Sequence, residues 1–467
     1  MKTRLFLVSS LLVLGLSSNA QWVVQSPNFA ATARGTNVIS LPNATTVWGG
    51  AYDGTPGGGV KIQEFTRTTD AGVNYTAGFI RDAAIDSTEQ STFGLSNLCA
   101  VDANTAWAAF WDSNTSPGAN QGIYKTTDGG TTWTRQATAA YGTASFADFV
   151  YFWDANHGVA VGDPQGGYYE VYTTSDGGTS WTRTANTGSH LSPAPSAECA
   201  LTNCYSVSGS TIWFGTTHGR IFKSTDKGLT WTHASTPFTI TSAAVSSAHL
   251  ISKVAFRDAN NGMACITDTT GGTTKSKYVK TSDGGTNWTS VTSTGFNYGS
   301  DFCAVPGTSI YVSVGGDPAF KGSSMSTDDG ATWASLEDTA GAPQRLSVAF
   351  YSASLGYAGG FDEIDQWSGT LNPFGIGIAA NKTTVSSVVM YPNPTAGYLN
   401  ISLNGFAGKK ASVKIYNVIG EQVYSSENIY ETPVYIKHID LSALQAGVYI
   451  VTVYDGTQSF VQRITKQ

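Results

Sequence analysis

Between about residue 40 and residue 380, short polar and glycine-containing clusters alternate with short runs of aromatic, β-branched and small residues. Runs of this kind predict β-strands joined by tight turns. One polar cluster recurs as the phrase Ser/Thr-x-Asp-x-Gly-x-Thr/Ser/Asn-Trp, with Tyr75 replacing Trp in the first copy. Its six aspartates are Asp70, Asp128, Asp176, Asp226, Asp283 and Asp328. Their spacing of 45 to 58 residues is typical of a propeller or solenoid.

The residue types of this phrase explain what it does. Asp and Ser/Thr side chains accept hydrogen bonds from backbone amides in tight turns, and Gly adopts the positive φ that other residues resist. The Trp then begins the next strand and can fill the space between two packed sheets. We therefore predict a structural role for the six aspartates, with calcium ligation as the alternative.

These copies resemble the Asp-box of BNR repeats, the hairpin turn between the outer strands of a propeller blade. The resemblance implies a β-propeller like those of sialidases, sortilin-like receptors and many secreted bacterial proteins. A second, looser turn signal occurs seven times, for example at 102–107 and 258–263. We predict seven four-stranded blades over residues 21–380, with six as the alternative. Residues 21–25 resemble the strand that follows each Asp-box, and we expect them to complete the last blade.

The N-terminus has the pattern of a secretory signal peptide over residues 1–20. Lys2 and Arg4 precede an apolar stretch, and small residues follow it at 18–20. The apolar stretch is too short for a comfortable membrane span, and we predict no transmembrane segment. The formal net charge of −7, without a basic cluster, argues against a nucleic-acid partner.

The C-terminal residues have a different pattern. The phrase is absent, a Thr/Ser-rich segment at 381–388 is predicted as a linker, and alternating apolar strands follow to Gln467. The YPNP sequence at 391–394, IYN at 415–417 and L-x-x-G-x-Y at 444–449 closely resemble the type A C-terminal sorting domain of the type IX secretion system, a small Ig-like β-sandwich. The resemblance covers 389–467 and implies secretion, or attachment to the surface of a Gram-negative cell, with the type IX machinery as a partner.

Five cysteines are present in a chain predicted to be exported. Cys199 and Cys204 are close enough in sequence to close a loop, and we predict a disulfide between them. Their spacing fits no usual metal motif. We predict no metal centre and no cofactor, since no ligand cluster or glycine-rich dinucleotide motif is present.

Propellers usually bind ligands at the mouth of the central channel, where the loops lead into the innermost strands. Polar residues predicted near that mouth could bind a sugar or carry acid–base chemistry, although such residues can also simply solvate a channel rim. The candidate acids are Asp148, Asp163, Glu198 and Asp301. The candidate binding residues are Asn97, Asn203, Lys253 and Arg345.

Sialidase chemistry is not supported, because it needs three convergent arginines and the nearest match to its arginine motif, Arg220-Ile221-Phe222, lacks the following proline. Residues 145–360 resemble exported propellers grouped with photosystem II stability/assembly-factor-like proteins, through the runs at 152–164 and 213–226. We therefore predict a non-catalytic secreted module that binds an extracellular glycan or protein. The alternative is a carbohydrate-active hydrolase that uses the channel-mouth carboxylates.

Overall fold

The computed structural model describes twelve segments of the chain. They are residues 22–55, 59–112, 120–142, 145–185, 197–240, 249–268, 272–337, 342–371, 387–404, 410–429, 434–454 and 459–467. The predicted signal peptide lies outside these segments, as does the predicted linker apart from its last two residues. The chain divides into two compact units, residues 1–376 and 377–467.

The first unit is almost entirely β-structure, with one short helix, α1 (Ser87–Gln90). Its strands in the first four sheets are β2 (Arg34–Ser40), β3 (Val47–Asp53), β4 (Glu64–Thr68), β5 (Thr76–Phe79); β6 (Phe93–Ala100), β7 (Ala106–Asp112), β8 (Gly122–Thr126), β9 (Thr134–Arg135); β10 (Ala147–Phe152), β11 (Gly158–Gln165), β12 (Tyr168–Thr174), β13 (Thr182–Arg183); β14 (Ala200–Ser208), β15 (Thr211–Thr216), β16 (Arg220–Ser224) and β17 (Thr232–Ser235). The remaining strands are β18 (Ile251–Phe256), β19 (Gly262–Asp268), β20 (Lys275–Thr281), β21 (Thr289–Val291); β22 (Thr294–Gly295), β23 (Asp301–Ala304), β24 (Tyr311–Asp317), β25 (Phe320–Ser326), β26 (Thr332–Ser335); β27 (Arg345–Ser352), β28 (Leu355–Gly360), β29 (Ile364–Trp367) and β1 (Trp22–Gln25).

In the described residues these strands form seven sheets, numbered 1 to 7 from β2 onward. In each sheet, sequence neighbours pair as an antiparallel meander, as the turn signals predict, apart from β22 in sheet 6 and β1 in sheet 7. The innermost strands of the seven sheets are β2, β6, β10, β14, β18, β23 and β27. Each innermost strand contacts that of the next sheet, and β27 contacts β2, so the sheets close into a ring. Sheet 6 differs from the four-stranded expectation, because β22 adds to β26 as a parallel fifth strand.

The ring is closed by the N-terminal strand, as predicted. β1 pairs antiparallel with β29, with Trp22 opposite Trp367. Trp22 is buried, its indole Nε1 donates to Ser323 Oγ in sheet 6 at 2.9 Å, and its ring packs edge-on against Trp367. Burying a ring of this size between two sheets contributes several kcal/mol. The first strand of the chain, β1, therefore completes sheet 7 and stabilises it against sheet 6.

In the described residues, the hydrophobic core of this unit forms seven clusters, each between two adjacent sheets of the ring. Aromatic rings recur in these clusters. Trp107 of sheet 2 stacks on Phe152 of sheet 3 at 3.4 Å between centroids, and Trp181, the Trp of the third Asp phrase, meets the same Phe152 edge-on at 5.6 Å. The Trp of every complete phrase lies in one of these clusters, which explains why Trp recurs with the phrase: Trp133, Trp181, Trp231, Trp288 and Trp333.

The six Asp phrases fold into turns with the same hydrogen bonds. The carboxylate Oδ1 accepts from the Ser/Thr hydroxyl two residues earlier and from the backbone amide four residues later, each at 2.7–2.9 Å. The Gly two residues after each Asp has φ between 82° and 89°, which a β-carbon would disfavour. Hydrogen bonds from the residue four positions later lower the pKa of Asp70, Asp128, Asp176 and Asp283 to about 2.

The second unit is a sandwich of two antiparallel sheets around one core. The strands are β30 (Ser387–Tyr391), β31 (Tyr398–Asn404), β32 (Lys410–Asn417), β33 (Gln422–Ile429), β34 (Val434–Asp440), β35 (Gly447–Tyr454) and β36 (Ser459–Lys466). The strand orders are β30-β31-β34 and β33-β32-β35-β36, and alternate residues such as Leu399, Ile401 and Leu403 face the core. In the segments that the structure describes, no helix is long and apolar enough to cross a membrane.

Candidate functional site

The two faces of the ring differ in regularity. The innermost strands run parallel to one another: Asn97 Oδ1 accepts from Val150 N at 2.9 Å, and Cys99 Sγ, two residues on, accepts from Phe152 N at 3.4 Å. We call the face at which these strands begin the upper face, and the face that carries the six Asp turns the lower face. Near the upper face the pairing slips in six of the seven described innermost strands, for example between Ala147 and Phe149. Such bulges redirect side chains next to binding sites.

Four of the predicted site residues form one polar network in the channel. Asn97 Nδ2 donates to Asn203 Oδ1 at 3.2 Å, and Lys253 Nζ lies 3.5 Å from Asn203 O and 3.1 Å from Asp301 Oδ1. Asp301 Oδ2 also accepts from Val348 N at 3.0 Å. Burial lowers the pKa of Lys253, but the charge of Asp301, its hydrogen bond to Lys253 and smaller contributions from Cys204 and Cys303 together exceed that effect, and the net shift of the pKa is upward. The network joins innermost strands of sheets 2, 4, 5, 6 and 7.

Asp148 and Asp163 form a second pair at the upper end of sheet 3. Asp148 occupies the bulge of β10 and is 3% exposed, while Asp163 is 7% exposed and accepts from Ala200 N at 3.1 Å. Burial, and then the negative charge of Asp163, hold the pKa of Asp148 well above its usual range. Burial raises the pKa of Asp163 to about 6. Burial and a second negative charge both disfavour the ionised form of a carboxyl group.

Two further predicted residues lie in buried ion pairs. Glu198 is fully buried against Arg220, whose Nε donates to Oε1 at 3.0 Å, and Thr216 Oγ1 donates to the same carboxylate at 2.5 Å. Arg345 is 1% exposed and contacts Asp365 at 2.8 Å and Glu337 at 2.6 Å. Both groups hold the fold together at the upper end of the ring, and neither side chain lies at a channel rim open to water.

The predicted disulfide is wrong. Cys199 and Cys204 are both free, as are the other three cysteines. Cys199 O accepts from Thr217 N just before β14, whereas Cys204 lies inside β14 and its thiol donates to Ile251 O at 3.1 Å. Between them the pairing of β14 with β15 shifts from Ala200 to Tyr205, and the two thiols contact different parts of the chain, Ala197 O and Ile251 O. Cysteines close in sequence are therefore not necessarily paired when the strand between them is bulged.

An aromatic shelf that the sequence analysis missed lies on the upper face between sheets 2 and 3. Phe146 directly precedes β10 and is 38% exposed, and its ring meets Trp111 edge-on at 5.5 Å. Lys61 Nζ lies 4.3 Å from the centre of the Trp111 ring. We call Lys61, Trp111 and Phe146 the aromatic shelf. An available signal was the position of Phe146, two residues before Asp148, outside the repeating pattern.

The described segments contain no group of three or more His, Cys, Asp or Glu side chains placed to hold a metal ion. The hydrogen bonds of the six Asp-turn carboxylates given above lie within their own turns.

Residues 389–467 match the family model described as the secretion system C-terminal sorting domain. This part of the chain is a sorting domain of the type IX secretion system, and it indicates export followed by secretion or attachment to the cell surface. Such a domain implies interaction with the type IX secretion machinery. The comparison with curated protein sequences gives no match.

Solved structures similar to this chain include other β-propellers. YCF48 from Cyanidioschyzon merolae is 15% identical with a TM-score of 0.50, over 74% of this chain and 98% of that one. A GH74 enzyme from Niastella koreensis is 12% identical with a TM-score of 0.48, over 95% of this chain and 74% of that one. A PL25 ulvan lyase is 10% identical with a TM-score of 0.40, over 73% and 94%. At these identities the likeness concerns the fold alone, which is a β-propeller.

Proposed function

We propose that this exported propeller binds an extracellular glycan or protein through its upper face without changing it chemically. The observation that carries the proposal is the use of the candidate acids in the fold. Glu198 is neutralised by Arg220, and Asp301 is bound to Lys253 and to the backbone amides of Phe302 and Val348. A carboxylate saturated in this way has little capacity left for acid–base chemistry on a substrate.

The alternative function is a hydrolase that uses the other two candidate acids. The specific observation in its favour is the two buried carboxyl groups of Asp148 and Asp163, whose pKa values are raised chiefly by burial. Glycoside hydrolysis places two carboxyl groups on opposite sides of one scissile bond, and both must touch the substrate. Asp148 is 3% exposed, which leaves it little contact with a polysaccharide. Binding is therefore the better-supported function.

The test separates binding from turnover. The full exported chain is incubated with a panel of neutral, uronic-acid and sulfated polysaccharides, and binding is measured in parallel with release of new sugar ends. We expect binding without product. Product release that disappears in Asp148→Asn and Asp163→Asn, while Asp301→Asn folds and remains active, would overturn the proposal in favour of the hydrolase.

A further inference from the structure

We infer that one turn of the sorting domain is a surface that the type IX secretion machinery binds. The turn joins β32 to β33, and it carries two exposed apolar side chains, Val418 and Ile419, which we call the apolar tip. The inference concerns the second unit of the chain and does not depend on the function proposed for the propeller.

The apolar tip has no role in the core of its own unit. Ile419 is 83% exposed and Val418 is 74% exposed, and among the described residues no other large apolar side chain is as exposed as Ile419. Neither side chain belongs to the described core of the sandwich or packs against it. Turns favour Gly, Asn, Asp, Ser and Pro, so the fold does not require two β-branched residues here. Proteins break such local rules mainly at functional sites.

The turn holds the apolar tip in one conformation. Asn417 Oδ1 accepts from Ile419 N at 3.2 Å and from Glu421 N at 2.9 Å, and Asn417 Nδ2 donates to Glu421 Oε2 at 3.0 Å. Gly420 has a φ of 84°, which a β-carbon would disfavour. The IYN sequence at 415–417 thus ends in the side chain that organises the turn. A preformed apolar surface loses little conformational entropy when a partner covers it.

The apolar tip lies at the end of the sandwich opposite to the entry of the chain. Asn417 pairs with Tyr449 near the start of β35, and the start of β35 pairs with the end of β36. Thr395, which follows β30, bridges Lys466 at the end of β36. β30 therefore runs toward the tip from Ser387, where the unit begins at its other end. The connection to the preceding part of the chain does not pass the tip.

Area and chemistry select the partner. A stable interface between two proteins buries about 800 Å² on each partner, and two copies that met tip to tip would bury little more than two side chains each. A concave apolar pocket encloses the same two side chains on several sides. A sorting domain implies interaction with the type IX secretion machinery. The partner is therefore a component of that machinery with an apolar pocket.

The test uses the full chain in a Gram-negative host with an active type IX secretion system. Immunoblotting measures the fraction of the chain that is released or attached to the cell surface. We expect the double variant Val418→Ser, Ile419→Ser to lower that fraction about tenfold, and Ile419→Leu, which keeps the apolar volume, to change it by less than about twofold. The matched control is Val461→Ser, which we expect to be secreted normally, because Val461 is 63% exposed within β36 of the same unit.

Two further measurements separate loss of binding from other defects. We expect the double variant to unfold at the same temperature as the wild type, because the hydrogen bonds of the turn come from Asn417 and the backbone. We also expect that the double variant, when it is coexpressed, does not slow the secretion of a tagged wild-type chain, because it no longer occupies the machinery.

Each contrary result overturns the inference. Secretion of the double variant at the wild-type level does so, as does an equal loss in Val461→Ser. A lower unfolding temperature would show that the side chains support the fold, and slower secretion of the tagged wild type would show that the variant still engages the machinery. A wild-type dimer that the double variant does not form, with normal secretion, would assign the apolar tip to a second copy instead. None of these results bears on ligand binding by the propeller.

Discussion

The lower and upper ends of the propeller sheets follow different rules. At the lower end, six turns repeat one set of hydrogen bonds and one positive-φ glycine. At the upper end, the innermost strands are bulged, and their side chains differ from sheet to sheet: Asn97, Asp148, Asn203, Lys253 and Asp301. The lower end is the repeated scaffold, and the upper end is where the sheets acquire individual chemistry.

The largest expected effect comes from the buried ion pair of the upper end. Arg220→Met leaves Glu198 buried and charged, and we expect a loss of about 3–5 kcal/mol in the free energy of unfolding. The control is Lys277→Met, because Lys277 is 57% exposed and its contact with Asp268 is worth less than about 1 kcal/mol. Denaturant unfolding measures both. Equal effects would contradict the distinction between buried and exposed charges in this ring.

The pH dependence of stability sharpens the comparison. Burial raises the pKa of Asp163 from 3.8 to about 6, so between these values the folded state binds more protons than the unfolded state. The stabilisation of the folded state by protonation of Asp163 is complete below about pH 4 and is lost as the pH rises through 6. The difference between wild type and Asp163→Asn isolates it from Glu363, whose pKa burial raises to about 7.

We expect the free energy of unfolding of the wild type to fall more than that of Asp163→Asn between pH 4 and pH 7, because the substitution removes one titrating buried carboxyl group and the charge that raises the pKa of Asp148. Thermal unfolding at a series of pH values measures this. Parallel pH profiles for the two proteins would show that Asp163 titrates normally and that the pair is not buried as described.

At the lower end, we expect substitution of an Asp in the turns to cause a smaller loss in the free energy of unfolding, and a similar loss in each turn. Asp226→Ala removes three hydrogen bonds within its turn, and by analogy with helix caps the cost is about 1 kcal/mol. Asp328→Ala should cost about the same, since its turn has the same contacts. Leu229→Ala in the same turn as Asp226 is the control, because this side chain is 60% exposed. Widely different values for the two aspartates would contradict the equivalence of the turns.

The fold could be predicted because the same physical requirement recurs in every sheet. The Asp phrase predicts a turn, and its Trp predicts an interface between sheets. Residues 22–25 resemble the strand that follows each Asp phrase, which the last sheet would otherwise lack. The site could be predicted only in part. Arg345 aligns with channel residues in sequence, but Asp365 and Glu337 draw it into a buried pair.

The other features that could not be predicted from the sequence also depend on tertiary structure. Phe146 stands outside the repeating pattern, but its contact with Trp111 joins two sheets, so the sequence does not show that the two rings meet. Cys199 and Cys204 are close in sequence, but Cys199 precedes β14, Cys204 lies inside it, and their thiols contact different parts of the chain. Contacts between sheets, and the conformation of the chain between two residues, are decided by tertiary structure and lie beyond a reading of local periodicity.

The most direct test of a functional upper face is amide hydrogen exchange of the full exported chain, with and without a bound glycan. We expect protection in residues 110–112 and 145–148, at the upper ends of sheets 2 and 3, and no change in the Asp turns at 126–133 and 174–181. Protection confined to the Asp turns would contradict the division between a structural lower end and a binding upper end.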